Sequence, residues 1–514
     1  MNKRIPIIDL FAGPGGLGEG FMSLKDNKGN SVFDIKLSIE KEENAHKTLT
    51  LRSFFRQFKK NNKPVPKAYY KALMQPNIAE REKLIEKLLD EYPEGQIAKS
   101  EARLIELGSE KWPSEIVDSL IEKSLKKQKD WVLIGGPPCQ AYSNVGRVRV
   151  GGINKDDHRV YLYKEYLRII EKHKPAVFVM ENVKGLLSAK VDGEKVFDWM
   201  KRDLTVNDQY TIHSFVKPVE KDSDYLIKSE RYGIPQKRHR VILFGIRKDF
   251  SHQNEYLEEK EKVELQSVIG KLPKLRSKIN REFIGNHPTE LNSNGRPKKL
   301  YKNLIDSQKA WKSLMSQNVK VIKKWNNIKL NGLSEGFDNI NLDEGSEFIQ
   351  TSNKIEVKGE LKEWFIDPLL KGVINHEARG HLTQDLMRYL FSAIYVENFN
   401  DFPRVKDLAR HDESLLPEHA NINSGDFTDR FKVQLANQTA STVTSHISKD
   451  GHSFIHYDPK QCRSFTVREA ARVQTFPDNY LFRGSRTAQY HQVGNAVPPF
   501  LAYQIAGIVK NILK

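Results

Sequence analysis

Short apolar runs separated by longer polar stretches shape the first half of the chain. Six of them are Ile5–Leu10, Ile35–Ile39, Trp131–Ile134, Ala176–Met180, Tyr210–Val216 and Val241–Ile246. Runs of this length that are rich in Ile and Val are typical of buried strands in a mostly parallel sheet. The pattern therefore predicts a sheet built from these six segments.

Helical periodicity lies between some of the runs. One apolar stripe has helical spacing and consists of Leu162, Tyr166, Ile169 and Ile170. Strands that alternate with helices indicate a doubly wound α/β domain over residues 1–250.

Residues 52–130 interrupt that domain with a long, charged stretch of helical pattern. Within it, the apolar side chains of Leu84, Ile85, Leu88 and Leu89 form a helix face in a background rich in Lys and Glu. An ordinary connection between neighbouring strands is far shorter. We therefore expect an inserted helical subdomain.

The character of the sequence changes after residue 250, where charge and Asn content rise and periodicity weakens. We expect residues 251–460 to form a second, smaller domain. Residues 461–514 carry strong local signals again and are expected to return to the first domain.

A basic stretch lies inside this second region. Residues 296–325 contain nine Lys or Arg and one acid, Asp306. Interleaved with the cations are three aromatic residues, Tyr301, Trp311 and Trp325. The stretch is either a solvated helix face or a surface that contacts phosphates.

Composition narrows the class of protein. Of the 514 residues 38% are hydrophobic, which is enough for a core and excludes wholesale disorder. The net charge of +17 favours a polyanionic partner, nucleic acid first and an anionic membrane second. No uncharged apolar run approaches the roughly 18 residues of a membrane-spanning helix. The N-terminus is typical of a first strand rather than a signal peptide.

The small number of cysteines indicates the cellular compartment in which the protein works. The two cysteines, Cys139 and Cys462, are too few for a disulfide framework or a cysteine-rich zinc site, so we expect no metal. A reducing, cytoplasmic setting follows from the same observation.

Reactive or ligand-type side chains follow four of the predicted strands. In chain order these segments are Asp9–Gly18, Glu40, Gly135–Gln140 and Glu181–Val183. Functional groups in open α/β sheets gather at the carboxyl ends of the strands. We therefore expect one site that joins these segments.

The first of these segments resembles a cofactor loop. Gly13, Gly15 and Gly18 have the G-x-G-x-x-G spacing that lets a backbone approach a ligand closely. Glu40 lies about twenty residues further on, as suits ribose hydroxyls. This pattern fits a nicotinamide dinucleotide, another adenosine cofactor, or a tight turn without a ligand. Phe11 beside the loop either stacks on an adenine ring or packs in the core.

Cys139 is the candidate nucleophile. It follows two prolines at a predicted strand end, where the backbone is stiff and cannot continue the sheet. A free cysteine is most often a small buried hydrophobe, but a thiol here can point into a cleft. The glycines and arginines of residues 140–157 indicate either a basic loop that closes over nucleic acid or an ordinary solvated loop. Cys462 lacks such a setting and is interpreted as structural.

Three charged residues complete the candidate chemistry. Glu181 at a strand end is either the buried partner of an arginine or a proton donor. Arg238 and Arg240 alternate in the segment that directly precedes the last predicted strand, and so share a face. Together they either hold an anion or a base carbonyl, or form salt bridges.

These residues together resemble the DNA (cytosine-5)-methyltransferases. Phe11–Gly15 is similar to that family's loop for S-adenosyl-L-methionine (AdoMet), Glu40 to its ribose-binding acid, and Pro137–Gln140 to its nucleophile motif. Further similar motifs, in the family's order, are Asp157–Leu162, Glu181–Val183, Gln236–Arg240, Arg463–Arg472 and Gln492–Pro499.

The resemblance does not cover residues 52–130 or most of 250–460. It also departs from the family at the acid that binds the adenine amino group. Gly108–Glu110 is the nearest remnant of that motif and has serine at the expected acid, so no residue is carried over there.

The resemblance implies a Rossmann-like, AdoMet-dependent methyltransferase domain with residues 251–460 as target recognition domain. By this analogy Cys139 adds to carbon 6 of a flipped-out cytosine and Glu181 protonates nitrogen 3, and AdoMet then methylates carbon 5. Arg238 and Arg240 hold the base carbonyl and a phosphate. The implied cofactor-binding residues are Phe11, Gly13, Gly15, Glu40, Leu162 and Asn495.

The function implied is sequence-specific methylation of double-stranded DNA by a monomer in a bacterial cytoplasm, associated with the nucleoid when bound. A cognate restriction endonuclease is the expected functional partner, and no membrane partner is expected. Two other hypotheses are a DNA-binding relative that no longer methylates and a nicotinamide-dependent oxidoreductase, with tRNA as a minor substrate variant. Intact Cys139, Glu181, Arg238 and Asn495 argue against the inactive relative.

Overall fold

The computed structural model of the protein describes residues 4–138, 158–191, 193–251, 253–325, 327–352, 354–417 and 430–513, with the backbone alone at 158–161 and 191. The strands are β1 (Ile5–Leu10), β2 (Phe33–Glu40), β3 (Ala102–Leu104), β4 (Val132–Gly135), β5 (Val177–Val183), β6 (Lys190–Val191), β7 (Glu194–Lys195), β8 (Tyr210–Ser214), β9 (Leu226–Lys228), β10 (Gln236–Lys237), β11 (His239–Arg247), β12 (Lys278–Leu291), β13 (Pro297–Asn303), β14 (Gly345–Gln350), β15 (Gly372–Glu377), β16 (Gly380–Leu382) and β17 (Ala440–Ser441). The α-helices are α1 (Gly16–Ser23), α2 (Glu43–Lys60), α3 (Lys67–Leu73), α4 (Ile78–Glu91), α5 (Pro93–Glu101), α6 (Ser114–Leu125), α7 (His158–His173), α8 (Val196–Leu204), α9 (Leu265–Ile269), α10 (Gln308–Ile322), α11 (Glu360–Phe365), α12 (Thr383–Phe399), α13 (Val405–His411), α14 (Val467–Val473), α15 (Arg486–Asn495) and α16 (Pro499–Ile512).

One central sheet organises the first part of the chain. Its order is β3-β2-β1-β4-β5-β11-β8, and β9 also pairs with β11. The strands from β3 to β5 are parallel, whereas β11 is antiparallel to β5, β8 and β9. All six predicted strands lie in this sheet, so the prediction of a mostly parallel α/β fold is confirmed. The carboxyl ends of β1, β2, β4 and β5 meet at one edge, where such folds bind ligands.

Alternate residues of the strands face opposite sides of the sheet and build two hydrophobic cores. Ile7 and Ile134 lie in a first core with residues of α1, α14 and α16. Ile8 and Leu133 lie in a second core on the other face. The predicted stripe of α7 is buried in that second core, which confirms the helix. Helices therefore cover both faces of the sheet.

The helix that follows the glycine loop, α1, packs very closely on the C-terminal helix α16. A Cβ atom on Gly20 would lie 2.4 Å from the backbone nitrogen of Tyr503 and 2.5 Å from the carbonyl carbon of Ala502. Real Cβ atoms do not approach backbone that closely, so only glycine permits this contact. The close packing fixes α1, and with it the loop before it, against the end of the chain.

Replacing Gly20 by alanine is expected to lower the free energy of unfolding by about 3 kcal/mol, because α1 and α16 must separate. Gly507 on α16 is the matched control, since its Cβ would meet no atom within 4 Å. Gly507→Ala should raise the free energy of unfolding by about 0.5–1 kcal/mol by restricting the unfolded chain. Urea unfolding measures both effects, and similar values for the two variants would contradict the close contact.

Residues 52–130 are largely helical, but the prediction of a helical insert throughout is wrong. Helices α2 to α5 share a core, which includes Phe54, Tyr69 and Ile85. Leu370, Ile374 and Leu481 from later in the chain belong to the same core. In contrast, β3 pairs with β2 as the edge strand of the central sheet. Helix α6 packs on the second core through Val117 and Ile121. A three-residue strand is too short to leave a periodic signal, so sequence pattern alone misses it.

The region after residue 250 has a third hydrophobic core formed mainly by α10 and α12. Trp311 is fully buried there, with its ring 5.1 Å from that of Phe337. Trp325 packs on the same core, 5.3 Å from the ring of Phe391. The interpretation of these two tryptophans as part of a phosphate-contacting surface is therefore wrong, because both serve packing. Tyr301, in contrast, lies on an exposed strand.

The boundaries at residues 250 and 460 stay a prediction. Leu265, Val373 and Val443, which lie between these boundaries in the chain, belong to the first core together with residues of the central sheet.

Within the described part of the chain, no helix has both the length and the apolar character needed to cross a membrane.

Candidate active site

A cavity of about 950 Å³ opens where the carboxyl ends of β1, β2, β4 and β5 meet. Eight of the ten candidate residues line it, namely Phe11, Gly13, Glu40, Leu162, Glu181, Arg238, Arg240 and Asn495. Gly15 does not line it, and Cys139 lies outside the described residues. The tertiary fold thus joins segments that lie up to several hundred residues apart in the chain around one space.

The glycine loop forms one wall of this cavity. Gly13 has a φ of +58°, and a Cβ there would meet no atom within 4 Å, so its backbone faces open space. Gly15, with a φ of +98°, is the residue before α1, and its Cβ would lie 2.8 Å from Leu49 Cδ1. Gly13 therefore leaves room for a ligand, whereas Gly15 allows the loop to turn against α2.

Glu40 holds the ends of β1 and β2 together. Its Oε2 accepts a hydrogen bond of 2.7 Å from the backbone N–H of Gly13. Its Oε1 accepts from the N–H groups of Lys41 and Glu42 at 2.9 and 2.7 Å. Burial raises the pKa of this carboxyl, and the backbone donors oppose that rise. Oε2 accepts only one of these bonds and has a second lone pair, so the group can still accept from a ligand hydroxyl.

Asp9 is a functional candidate that the sequence analysis includes in a strand-end segment but to which it assigns no role. It is 1% exposed and lines the cavity, and neither carboxylate oxygen has a hydrogen-bond partner among the described residues. Burial raises the pKa of this carboxyl to about 8, although the nearby Arg56 guanidinium acts in the opposite direction. The available signal was a lone acid near the end of an otherwise apolar strand. Such a group is suited to receive a positively charged ligand.

Asp9→Asn is expected to change how stability depends on pH in the absence of ligand. The folded protein binds a proton here that the unfolded chain loses near pH 4, so stability falls as pH rises towards 8. Each pH unit in that window corresponds to about 1.4 kcal/mol. The midpoint of thermal unfolding of Asp9→Asn should exceed that of the wild type by a margin that grows from pH 5 to pH 8.

The control for this measurement is Asp338→Asn, which changes an exposed aspartate. Its midpoint should differ from that of the wild type by a constant amount over the same pH range. Parallel curves for Asp9→Asn and the wild type would show that the buried carboxyl does not titrate as described.

Glu181 and Arg240, which both line the cavity, form an ion pair. Arg240 Nε donates to Glu181 Oε1 at 2.8 Å, and the side chains are only 17% and 13% exposed. The pair forms because β11 runs antiparallel to β5 and sets Arg240 beside Val183. A Cβ on Gly136 would lie 3.1 Å from Glu181 Oε2, so the backbone after β4 passes directly by this carboxylate. That segment continues through Pro138, which lines the cavity, to Cys139.

Arg238 lines the same cavity but is bound differently from Arg240. Its guanidinium is 2% exposed and donates to the carbonyl oxygens of Val443 and Gly494 at 2.8 and 3.1 Å. Burial and the neighbouring charge of Arg240 lower its pKa well below the usual value. An arginine in this setting joins three segments of chain and does not present an exposed cation to a phosphate.

Part of the cavity wall comes from segments that sequence reasoning left aside. Two segments, one before α15 and one at its start and along it, contribute polar residues to the cavity wall. These residues are Thr444, Ser445, His446, Lys449, Ser485, Thr487 and His491. Thr444, Ser445 and His446 lie in a stretch rich in Ser and Thr, which is a weak signal and does not reveal a site by itself. Lys449 is exposed at this wall and adds positive charge.

The wall next to β3 is apolar. Ile105 and Leu107, which follow β3, are buried and line the cavity. Between them Glu106 is exposed, and its carboxylate accepts from Lys41 Nζ at 3.1 Å. This segment immediately precedes Gly108–Glu110, so the remnant noticed in the sequence lies directly beside the cavity wall.

Comparison with known proteins gives a consistent result. Residues 109–511 match the family model of C-5 cytosine-specific DNA methylases. The chain is 33% identical to the type II methyltransferase M.Bpa9945I of Bacillus paralicheniformis, over 99% of both chains. It is 28% identical to the type II methyltransferase M.AgeI of Thalassovita gelatinovora, over 74% of this chain and 82% of that one. For the type II methyltransferase M1.HphI of Haemophilus parahaemolyticus the identity is 26%, over 76% and 71%.

Proposed function

This chain belongs to the C-5 cytosine-specific DNA methylase family, and we propose that it methylates cytosine in a specific sequence of double-stranded DNA through a covalent cysteine adduct. Family membership excludes the nicotinamide-dependent oxidoreductase that the glycine loop alone allows. The observation that carries the proposal is the single cavity, which joins the loop and Glu40 to the Glu181–Arg240 pair and the segment that leads to Cys139.

The residues of the cavity fit AdoMet as methyl donor. AdoMet bears a positively charged sulfur and an ammonium group, and a positive charge would favour the ionised form of the buried Asp9 carboxyl, which has no hydrogen-bond partner among the described residues. Glu40 can accept from ribose hydroxyls, while Phe11, Leu162, Ile105 and Leu107 supply apolar surface for adenine. Gly13 and Asn495 would border the rest of the molecule. When bound, AdoMet supplies an electrophilic methyl group.

Chemistry on the base needs a cytosine that has left the helical stack, because a stacked base cannot reach a cavity at a sheet edge. In the proposed mechanism the Cys139 thiolate forms a bond to carbon 6 of the ring. Glu181 delivers a proton to nitrogen 3, so the electron pair displaced by the thiolate makes carbon 5 nucleophilic. After methylation, water removes the proton of carbon 5 while the bond to Cys139 breaks, which regenerates the thiolate, and nitrogen 3 returns its proton to Glu181.

Arg240 has a positioning role in this proposal. Its ion pair with Oε1 leaves Glu181 Oε2 on the side of Gly136, and so fixes which carboxylate oxygen faces the approach to Cys139. Arg240 retains N–H groups that can hold the base carbonyl. We assign Arg238 to the support of the cavity, since its contacts are to backbone carbonyls.

The wider setting is also a proposal. Residues 251–460 would act as the target recognition domain, and the protein would act as a monomer in a bacterial cytoplasm. Relatives are type II methyltransferases, so we propose that this chain protects host DNA beside a cognate restriction endonuclease.

The decisive experiment is bisulfite sequencing of DNA from cells that express the chain, combined with transfer of labelled methyl groups from AdoMet to DNA in vitro. A single methylated sequence context is the expected result. Isothermal titration should show binding of AdoMet but not of NAD. Purified protein that binds AdoMet yet transfers no methyl group to varied DNA would favour an inactive DNA-binding relative.

A further inference from the structure

A two-stranded ribbon projects from the region after residue 250. It comprises residues 278–303, in which β12 and β13 pair antiparallel around a turn at 292–296. Beyond Ile279, no side chain of β12 or β13 is buried, although both strands are fully described. A two-stranded ribbon is only marginally stable by itself in water. β16 pairs with β12 only at its base, from Lys278 to Arg281. Among the described residues, the fold therefore leaves most of the ribbon's length and exposure unexplained, which indicates a partner.

The charge of the ribbon indicates the kind of partner. Residues 281–303 contain five Lys or Arg against two acids. One acid, Glu290, pairs with Lys298 at 2.7 Å, and the other, Glu282, lies opposite Lys302. This stretch of the ribbon therefore carries three more cations than acids. A ribbon with this excess of cations suits a polyanion such as duplex DNA.

One face of the ribbon holds cations in place on aromatic rings. Phe283 and Tyr301 are direct cross-strand partners with ring centroids 5.9 Å apart. The Arg281 guanidinium lies 4.6 Å from the centre of the Tyr301 ring, and Lys299 Nζ lies 5.2 Å from that of Phe283. These contacts restrict two flexible side chains before any partner arrives, which reduces the entropy lost on binding.

An irregularity in the pairing exposes an apolar side chain beside this face. The register shifts between Phe283 and Gly285, so Ile284 is the extra residue of a bulge and is 60% exposed. Bulges redirect side chains and are common next to functional sites. The major groove is about 12 Å wide and admits a two-stranded ribbon, where arginine reads guanine and apolar groups contact the thymine methyl.

The base of the ribbon is linked to the rim of the cavity. Lys278 donates to Glu377 Oε1 at 2.5 Å, and the same oxygen accepts from Arg486 at 2.8 Å. Arg486 stands between Ser485 and Thr487, which both line the cavity. The ribbon thus starts beside the opening through which a flipped base would enter.

We infer that the ribbon is a DNA-reading element, which enters the major groove next to the target cytosine and contributes to the choice of recognition sequence. The inference rests on the proposed function and assigns DNA contact to a particular part of residues 251–460. It predicts that removal of the ring-stacked cations weakens DNA binding without any effect on the AdoMet site.

The test compares the double variant Arg281→Ala/Lys299→Ala with the wild type in binding a mixed-sequence duplex, followed by fluorescence anisotropy over a range of salt concentrations. The matched control, Lys83→Ala/Lys87→Ala, removes the same charge from the exposed face of α4. We expect the ribbon variant to bind about tenfold more weakly, with a slope of log affinity against log salt shallower by about 1.8. AdoMet affinity by titration should be unchanged.

Two results would overturn the inference: wild-type DNA affinity in the ribbon variant, or an equal loss in the α4 control. Bisulfite sequencing adds a second readout, because altered reading should change the set of methylated sequences as well as their number. If the wild type bound DNA through the ribbon but transferred no methyl group, the proposed function would fail while the ribbon assignment stood.

Discussion

Cys139→Ala is expected to reduce methyl transfer to the background of a reaction without enzyme. Alanine cannot form the bond to carbon 6 of cytosine, and without that bond carbon 5 is too weak a nucleophile to react. Binding of AdoMet should persist, because the residues proposed to hold it do not include Cys139. The measurement is incorporation of labelled methyl groups into DNA, beside isothermal titration with AdoMet.

Cys462→Ala is the matched control for this prediction. Cys462 is buried, and its Sγ donates to the Leu386 carbonyl at 3.2 Å, so it serves packing and not chemistry. Its variant should lose some stability but retain transfer. DNA with fluorine at carbon 5 gives an independent readout. Fluorine replaces the proton that must leave carbon 5 and cannot leave as a cation, so a covalent complex with Cys139 should persist through denaturing electrophoresis. Residual transfer by Cys139→Ala well above background would remove the central step of the mechanism.

Glu181→Gln is expected to lower the turnover rate by about 10²–10⁴, the usual contribution of a general acid or base. Glutamine keeps the shape of the side chain, and its oxygen can still accept from Arg240 Nε, so the wall of the cavity should remain in place. The amide cannot deliver a proton to nitrogen 3. Steady-state kinetics should therefore show a fall in kcat with little change in KM for AdoMet.

Glu171→Gln, on the exposed side of α7, is the control for charge and should retain wild-type kinetics. Arg240→Ala separates positioning from chemistry. It should also lower kcat, because the carboxylate loses its 2.8 Å ion pair and is free to turn away from the cavity. A kcat for Glu181→Gln within about threefold of the wild type, far below the usual effect of a proton donor, would show that proton delivery lies elsewhere.

Local pattern was sufficient for the strands and for most of the site. Runs of Ile and Val and the stripe on α7 predicted elements that the structure confirms, because burial on both faces of a parallel sheet imposes its own spacing on the sequence. The strand-end rule then identified segments that do meet around one cavity. The small residue Gly13 and the acid Glu40 could be identified as candidates for the same reason, because each lies at the end of a strand.

Pattern failed where a strand was short or a side chain had a distant partner. The three residues of β3 carry no periodicity, and β3 forms only because β2 offers it an edge. One of the two interpretations placed Trp311 on a binding surface because its neighbours are basic, yet it is fully buried in a core. The isolation of Asp9 was also invisible, since a missing partner is a property of everything packed around a group.

The sequence by itself determined the α/β class, the order of the motifs and the residue types at the ends of β1, β2, β4 and β5. Only the tertiary structure decided which of those residues share a wall, and what each one contacts. Arg238 illustrates the difference: its acceptors lie 205 and 256 residues away, and no local pattern encodes them. Spacing along a strand sets the direction of a side chain, whereas its partner depends on how remote segments pack. That packing directs Arg238 to backbone carbonyls and pairs Arg240 with Glu181.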